Sequence, residues 1–305
     1  MTDTQAIANL CIMARISYIV YRISYIVCGL SICLISCIAA EKQKPIWEQV
    51  KIGDIAPSQS GKQQGGRPLE TANFDVHIFE IPAENVEKLQ EIRQVLHTRP
   101  LRFNNYTAFK ANWFTVRSGQ GAGVGGQGSE SKVQDLLLAA GGQKVVKISL
   151  LLPDDQPSDV VVTGLDRQRT ISYVTADLSR EDTSVGPGVV SLRIKAVRIP
   201  TSRGVCNVVA YPVFLPPMGT GVPQLAERAK LREFHFSPAA FGLKMGPGDF
   251  VVLGPEKYVS DQTELGGLFF SNPEGRMFFS ETERKPPVRK PAIRIFLLAC
   301  RGINY

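Results

Sequence analysis

The stretch Phe74-Asp-Val-His-Ile-Phe-Glu-Ile81 largely alternates apolar and polar residues. A period of two is typical of a β-strand with one buried face. Pro82 follows, and residues 83–98 then carry four apolar side chains on one helical face: Val86, Leu89, Ile92 and Leu96. Proline suits the first turn of a helix, because that position needs no hydrogen-bonded N–H. The stretch therefore predicts a strand followed directly by a helix.

The following residues predict a second set of similar elements. Two short strand candidates, 101–106 and 113–117, precede a glycine-rich loop over 118–128. Ser131 and Gln134 have the spacing of a capping box at the start of a second helix. The apolar face of that helix consists of Val133, Leu136, Leu137 and Ala140. Residues 143–152 are rich in Val, Ile and Leu and predict a closing strand.

These elements predict an α/β domain over residues 72–153, in the order strand, helix, strand, strand, helix, strand. Both helices need an apolar partner, so we expect them on one sheet face. The expected partners beneath them are Val76, Ile78, Val146, Ile148 and Leu150.

Residues 154–305 predict a second, β-rich domain. Short strand candidates are separated by turns such as Asn272-Pro-Glu-Gly275. The candidates are 160–163, 170–175, 189–199, 205–214, 250–252, 267–270, 277–279 and 293–300. Residues 223–232 predict one short helix. Many short strands with frequent turns indicate a sandwich or a partly closed barrel, and the fold class of the whole chain is α+β.

The N-terminus predicts an export signal or a membrane anchor over residues 1–40. Arg15 and Arg22 precede an uncharged, mostly apolar run that ends at Cys37. Three outcomes fit this pattern: lipidation, cleavage after Ala39 or Ala40, or retention as an anchor of about 18 apolar residues. In each case Arg15 and Arg22 stay inside, so the folded domains lie outside the cytoplasm. Residues 41–71 predict a flexible tether, rich in Gly, Gln and Ser in its second half.

Two parts of the chain resemble known families. Leu34-Ile-Ser-Cys37 resembles the lipobox of bacterial lipoproteins. That resemblance implies that Cys37 is lipidated and becomes the mature N-terminus. The element order over 74–153 resembles the ring-building domain of secretins, which implies a role in assembling a complex of the bacterial cell envelope.

Charge and cysteine content limit the possible functions. The net charge is +7, but the Lys and Arg residues are dispersed, whereas a nucleic-acid site shows a clustered basic stripe. We therefore expect no nucleic-acid partner. Four of the six cysteines lie at or before Cys37, which leaves Cys206 and Cys300. In an exported protein such a pair forms either a disulfide or two separate buried thiols.

No catalytic, cofactor or metal motif is recognisable. The loop Gly121-Ala-Gly-Val-Gly-Gly126 has the dinucleotide spacing, but further glycines occupy the first turn where the helix would meet a phosphate. Asp154, Asp155 and Asp159 lie in a Pro/Ser-rich segment typical of a turn. The histidines, His77, His97 and His235, are far apart and lack metal-ligand spacing.

The sequence thus predicts a non-catalytic, membrane-anchored extracytoplasmic protein without a cofactor. We expect it to bind the membrane through its N-terminus and a protein partner in the envelope, as a structural or assembly component. The alternative is an envelope hydrolase with a site built across the two domains. An open sheet edge would favour the first hypothesis, and a deep pocket with clustered titratable groups the second.

Overall fold

The computed structural model describes residues 70–96, 101–121, 128–200, 202–217, 232–278 and 288–304. Its strands are β1 (Thr71–Pro82), β2 (Arg102–Phe103), β3 (Phe114–Gln120), β4 (Gln143–Pro153), β5 (Pro157–Leu165), β6 (Arg169–Val174), β7 (Arg180–Val185), β8 (Gly188–Arg198), β9 (Cys206–Leu215), β10 (Phe234–His235), β11 (Phe241–Met245), β12 (Asp249–Pro255), β13 (Ser271–Phe278) and β14 (Val288–Asn304). Its helices are α1 (Leu89–Val95), α2 (Tyr106–Ala111), α3 (Gly128–Ala139) and α4 (Leu265–Phe270). Two 3₁₀ segments, Ala83–Lys88 and Ser237–Ala239, complete the elements.

The described residues form mostly β-sheet with few helices. The first sheet has the order β3-β12-β14-β1-β4, and β13 also pairs with β14. The second sheet has the order β2-β11-β9-β8-β5, and β10 pairs with β9. β6 and β7 form a separate two-stranded ribbon. All of these strand pairs are antiparallel, and neither sheet closes into a barrel in the described part of the chain.

One core lies between the two sheets. Phe74 and Val76 of β1, with Phe296 of β14, pack in the same cluster as Leu192 of β8 and Val208 of β9. These side chains alternate along their strands with residues that point to the opposite face. Burial of this shared core joins the two sheets as a sandwich.

A second core lies on the other face of the first sheet, under the helices. Ile92 of α1 and the α3 residues Val133 and Leu137 belong to one buried cluster. They pack there with Phe79 of β1 and Ile295 of β14. The prediction that both helices share one sheet face is confirmed.

The strand partners named for these helices were wrong. Val76 and Ile78 are buried in the core between the sheets, and Ile148 and Leu150 pack against that core. The helices instead cover the odd-numbered positions of β1, Phe79 among them, together with side chains of β14. The alternation was recognised correctly, but it does not specify which of the two faces receives the helices.

The first sheet combines strands from both predicted domains. β1, β3 and β4 belong to residues 72–153, whereas β12 and β14 belong to residues 154–305. β14 lies between β12 and β1, and β3 pairs with β12. All of the described residues belong to one compact unit. The expected boundary between residues 153 and 154 therefore separates neither sheets nor cores.

Several elements differ from their predictions. Residues 267–270, predicted as a strand, form part of α4, whose six residues are all buried. A helix without a polar face has no period of 3.6 in its sequence, so it reads like a buried strand. α2, β7 and β11 were not predicted, and α3 begins at Gly128, before the expected cap at Ser131. Asn272–Gly275, predicted as a turn between two strands, is an irregularity within β13, where the register against β14 shifts.

Several sequence predictions lie outside the described residues: the signal or anchor 1–40, Cys37, His97, the helix at 223–232 and all of the tether 41–71 except Glu70 and Thr71. Among the helices that the structure does describe, none has the length and apolar character needed to cross a membrane.

Candidate functional site

β4 is an exposed edge of the first sheet. It is eleven residues long, and β1 is the only described strand that pairs with it. Its outer backbone N–H and C=O groups are therefore not engaged by any strand of the described chain. An unpaired row of this kind is a template for another extended chain. We refer to β4, residues Gln143–Pro153, as the open edge.

Apolar side chains accompany the open edge. Val146 and Leu151 on β4 are 39% and 60% exposed. Leu138, at the end of the preceding α3, is 50% exposed, and Val161, on the following β5, is 57% exposed. These four are half of the eight large exposed hydrophobic residues among the described positions. The apolar surface is thus concentrated on three consecutive elements that include the open edge.

The open edge also leaves part of the core between the sheets accessible. Ile148 and Leu150 are only half-buried, although they pack against that core. Val162 of β5, the terminal strand of the second sheet, is half-buried against the same core. A strand added to β4 would cover this row of side chains, because alternate residues of a strand project to the same face.

Three other terminal strands, β2, β5 and β3, carry features that discourage pairing. β2 has only two residues. β5 starts with a proline and has an irregularity between Val161 and Thr163, near its middle, and both features disfavour addition of a strand. β4 has an irregularity too, between Lys144 and Val146, but its register is regular from Val146 to its end at Pro153. At β3, Arg93 of α1 reaches over the sheet and donates hydrogen bonds to Thr115 Oγ1 at 3.3 Å and to the Pro255 carbonyl at 2.8 Å. β4 is the longest of these terminal strands.

A charged cluster holds the open edge to the rest of the first sheet. Asp75 of β1 accepts hydrogen bonds from Ser149 Oγ at 2.7 Å and from Arg301 Nε at 2.8 Å. Lys147 Nζ of β4 lies 3.0 Å from the same carboxylate. Burial opposes ionisation of Asp75, but these three partners outweigh it and lower the pKa of Asp75 to about 2. The cluster therefore keeps Asp75 charged at neutral pH.

The same cluster connects β14 to α3. Two guanidinium nitrogens of Arg301 each donate to Glu130 at 2.8 Å. His77 is 3% exposed, and its Nε2 lies 3.8 Å from Glu130 Oε1. Burial, followed by the charge of Lys144, lowers the pKa of His77, so the imidazole is neutral at pH 7. The acidic groups of this cluster are paired with cations, which suits fixing the elements rather than proton transfer.

A cavity of about 100 Å³ lies between α2, β6 and the start of α4. In its wall, Trp113 Nε1 donates to Glu264 Oε2 at 2.6 Å, and Arg180 lies 3.4 Å from the other oxygen of that carboxylate. Burial and the neighbouring Glu181 raise the pKa of Tyr173 to about 12. A phenol that binds its proton more tightly is not an activated nucleophile. The Ser172 hydroxyl, also in the lining, donates to Asp182 of β7, and the described lining residues include no histidine.

Two of the three aspartates predicted in a turn lie in the turn between β4 and β5. Asp154 accepts a hydrogen bond from the Arg198 N–H at 2.7 Å, and Lys195 Nζ lies 2.8 Å from Asp155. Each carboxylate therefore has its own partner on β8. No group of three or more potential metal ligands occurs among the described residues.

The third aspartate, Asp159, lies within β5 and not in the turn. It accepts two hydrogen bonds from Arg193 of β8, at 2.7 and 2.8 Å, so it does not converge with the other two carboxylates. Arg193 also donates to Glu233 at 2.7 Å, and His235 lies 3.5 Å from the same carboxylate. The hydrogen bonds to Asp159 and Glu233 raise the pKa of Arg193, so this guanidinium is permanently charged. His77 and His235 thus lie in separate ion-pair clusters, as their distance in the sequence indicated.

Cys206 and Cys300 are both buried and free in the structure, rather than joined in the possible disulfide. They lie in the same core cluster, and Cys206 is close enough to contribute to the raised pKa of Cys300. Burial is the main cause of both shifts and raises the pKa of Cys206 to about 11 and that of Cys300 to about 12. Of the two alternatives for this pair, the structure shows the buried thiols.

The sequence interpretation missed the open edge. It placed Gln143–Leu152 as a strand of a small domain but could not indicate which side of the strand lacked a partner. One signal was present: Lys144 and Lys147 interrupt an otherwise apolar strand, and lysine is typical of strands at a sheet edge. Most of the glycine-rich loop, residues 122–127, lies outside the described chain.

Comparisons with known proteins do not identify a relative: the chain matches no protein-family model, no curated protein and no solved structure.

Proposed function

We propose that this chain is a non-catalytic assembly protein that binds an extended protein segment at the open edge. The proposal rests on β4. This strand is eleven residues long, and its outer side pairs with no strand of the described chain. Its Val146 and Leu151 side chains are exposed. The binding mode is strand addition. Backbone hydrogen bonds of the added strand supply affinity, and its alternate side chains supply selectivity.

The charge on the edge limits which strands can add. Lys147 is paired with Asp75, which reduces the repulsion that a free lysine would exert on an incoming chain. Lys144 is exposed, so a partner with an acidic or neutral residue opposite it is favoured. The edge therefore selects apolar strands with few positive charges.

The proposed location is the bacterial cell envelope, with the folded unit outside the cytoplasm. This part rests on the sequence, namely Arg22, the apolar run after it and the lipobox-like residues ending at Cys37. An anchor before β1 would keep the open edge near a membrane, where partners are concentrated on a surface. Intact mass of membrane-purified protein tests the location, because a chain that starts upstream of Arg22 without acyl groups contradicts lipidation at Cys37.

The alternative of an envelope hydrolase lacks a supporting observation in the described residues. The cavity beside Trp113 is about 100 Å³, below the usual volume of about 300–1,000 Å³ for a ligand pocket. The carboxylate in its wall, Glu264, is bound to Trp113 and Arg180.

The experiment compares two double variants of the full chain in detergent-solubilised envelopes. Val146→Lys/Leu151→Lys adds two charges to the open edge. Leu178→Lys/Met277→Lys, the matched control, adds the same charges at two exposed apolar residues elsewhere, one in the connection between β6 and β7 and one on β13. On native gels we expect the unmodified chain and the control to migrate in a larger complex, and the edge variant to migrate as the free chain. Equal migration of all three proteins would refute the proposal.

A further inference from the structure

We infer that the open edge pairs with the open edge of a second copy of this chain, antiparallel, about a two-fold axis at Ile148. This inference rests on the proposed function, because it names the partner of the same edge. It is carried by the order of side chains along β4, in which Val146 and Leu150 are placed symmetrically about Ile148 and Lys147 has Ser149 as its symmetry mate.

The first argument is the position of the strand centre. Ile148 is the central residue of β4, which runs from Gln143 to Pro153. An antiparallel pair related by a two-fold axis places residues equidistant from the axis opposite each other. An axis at Ile148 therefore places residues 146–150 of the two copies opposite each other, within the part of β4 that follows the irregularity between Lys144 and Val146. Axes at other residues leave one end of each strand without a partner.

The second argument is charge. In this register Lys147 of one copy lies opposite Ser149 of the other, on the same face of the joined sheet. An axis one residue earlier would place Lys147 opposite Lys147, and like charges directly opposite destabilise a strand pair. The Ser149 hydroxyl already donates a hydrogen bond to Asp75 of the same copy, which stabilises this short polar side chain opposite Lys147.

The third argument is the apolar face. Val146 lies opposite Leu150 on both sides of the axis, and Ile148 lies opposite its own counterpart. All three side chains point to the face toward the core between the sheets, where Ile148 and Leu150 already pack. Each copy thus covers the half-buried row that the other leaves open, and two first sheets become one continuous sheet. A two-fold pair is closed, so this contact produces a dimer and not a ring.

Cysteine cross-linking tests the register directly. Residues opposite each other in an antiparallel pair have Cα atoms about 4.5–5.5 Å apart, within the range of about 4.4–6.8 Å for a disulfide. Only a residue on the axis lies opposite itself. Ile148→Cys should therefore form a disulfide between two copies under mild oxidation. Leu151→Cys, the control, should not, because its counterpart is about six residues away along the strand, about 20 Å.

The measurement uses purified full-length protein in detergent. Peptide mass spectrometry identifies a disulfide between the two introduced thiols, independently of the native cysteines. Sedimentation of the unmodified chain should show a dimer, and Val146→Lys/Leu151→Lys should shift it to the monomer. This second measurement does not depend on how well Ile148→Cys folds.

The outcomes separate this inference from the proposed function. The self-pairing is overturned if the unmodified chain sediments as a monomer at micromolar concentration and Ile148→Cys forms no disulfide between copies. This holds whether residues 41–69 of the same chain or another protein cover the edge. If the envelope complex is nevertheless lost in the edge variant, the edge binds a different protein and the proposed function stands. A disulfide at Leu151→Cys in place of Ile148→Cys overturns the register.

Discussion

Replacing Asp75 with asparagine removes the charge that joins β1, β4 and β14. The carboxylate is 11% exposed, whereas Lys147 and Arg301 are 50% and 41% exposed, so solvent screens part of their attraction to it. Its pKa is lowered from 3.8 to about 2, and each pKa unit corresponds to about 1.4 kcal/mol. The full shift corresponds to about 2 kcal/mol of the free energy of unfolding at neutral pH, and this is an upper bound because solvent screens Lys147 and Arg301. Asp75→Asn should lose up to this amount, while Arg301 keeps its bonds to Glu130.

The effect has a defined pH dependence. Because the pKa of Asp75 is lower in the folded chain, its contribution is present above about pH 4 and is lost as the pH falls toward about 2. The stability difference between Asp75→Asn and the unmodified chain should be about half as large at pH 3 as at pH 7. Denaturant unfolding followed by circular dichroism measures both values. Asp135→Asn, on the exposed side of α3, is the control and should change stability by less than about 0.5 kcal/mol.

A stability loss at Asp75→Asn that is equal at pH 7 and pH 3 would refute this reasoning. It would mean that the side chain acts through its shape or its hydrogen bond with Ser149, and not through ionisation.

Two further predictions concern the two cores. Leu137→Ala should destabilise the protein by about 2–5 kcal/mol in denaturant unfolding, because Leu137 is fully buried under the first sheet. The control is the adjacent Leu138→Ala, which changes an exposed residue and should cost less than about 0.5 kcal/mol. Equal losses of stability in the two variants would contradict the orientation of α3. Cys206 and Cys300 should resist iodoacetamide at pH 8 in the folded chain and react after unfolding, since burial raises the pKa of both thiols. Recovery of a peptide with these two residues joined by a disulfide, from protein isolated without reductant, would contradict the free thiols.

Periodicity predicted the faces of the elements but not their neighbours. The strand predicted from Phe74–Ile81 and the helical spacing of Leu89 and Ile92 are confirmed. The expectation of one buried face on that strand was wrong, because its polar residues are buried as well. The sequence could not show that β14 lies between β1 and β12, because strand pairing depends on residues more than 200 positions apart, such as Phe74 and Cys300. For the same reason it could not show that β4 ends the sheet.

The secondary structure of a short buried element was also predicted wrongly. Leu265–Phe270 has no polar face, so its sequence contains no helical period. Gly267 within it packs so closely that an added Cβ would overlap the Asp261 carbonyl oxygen. Such a constraint exists only in the assembled fold. Asp154 and Asp155 were interpreted correctly as turn residues, because Asp and Pro favour turns locally, whereas Asp159 extends into β5.

The position of β14 has a consequence for biosynthesis. Of the described strands, β1 leaves the ribosome first, and one of its two partners, Val288–Asn304, leaves last. β3 likewise waits for β12 before it gains a neighbour. The first sheet is therefore completed only once residue 304 has emerged, and a chain that terminates before residue 288 leaves β1 and β12 without their common partner. Such truncated products cannot reach the native state, and the early strands stay exposed to misassembly until β14 is available.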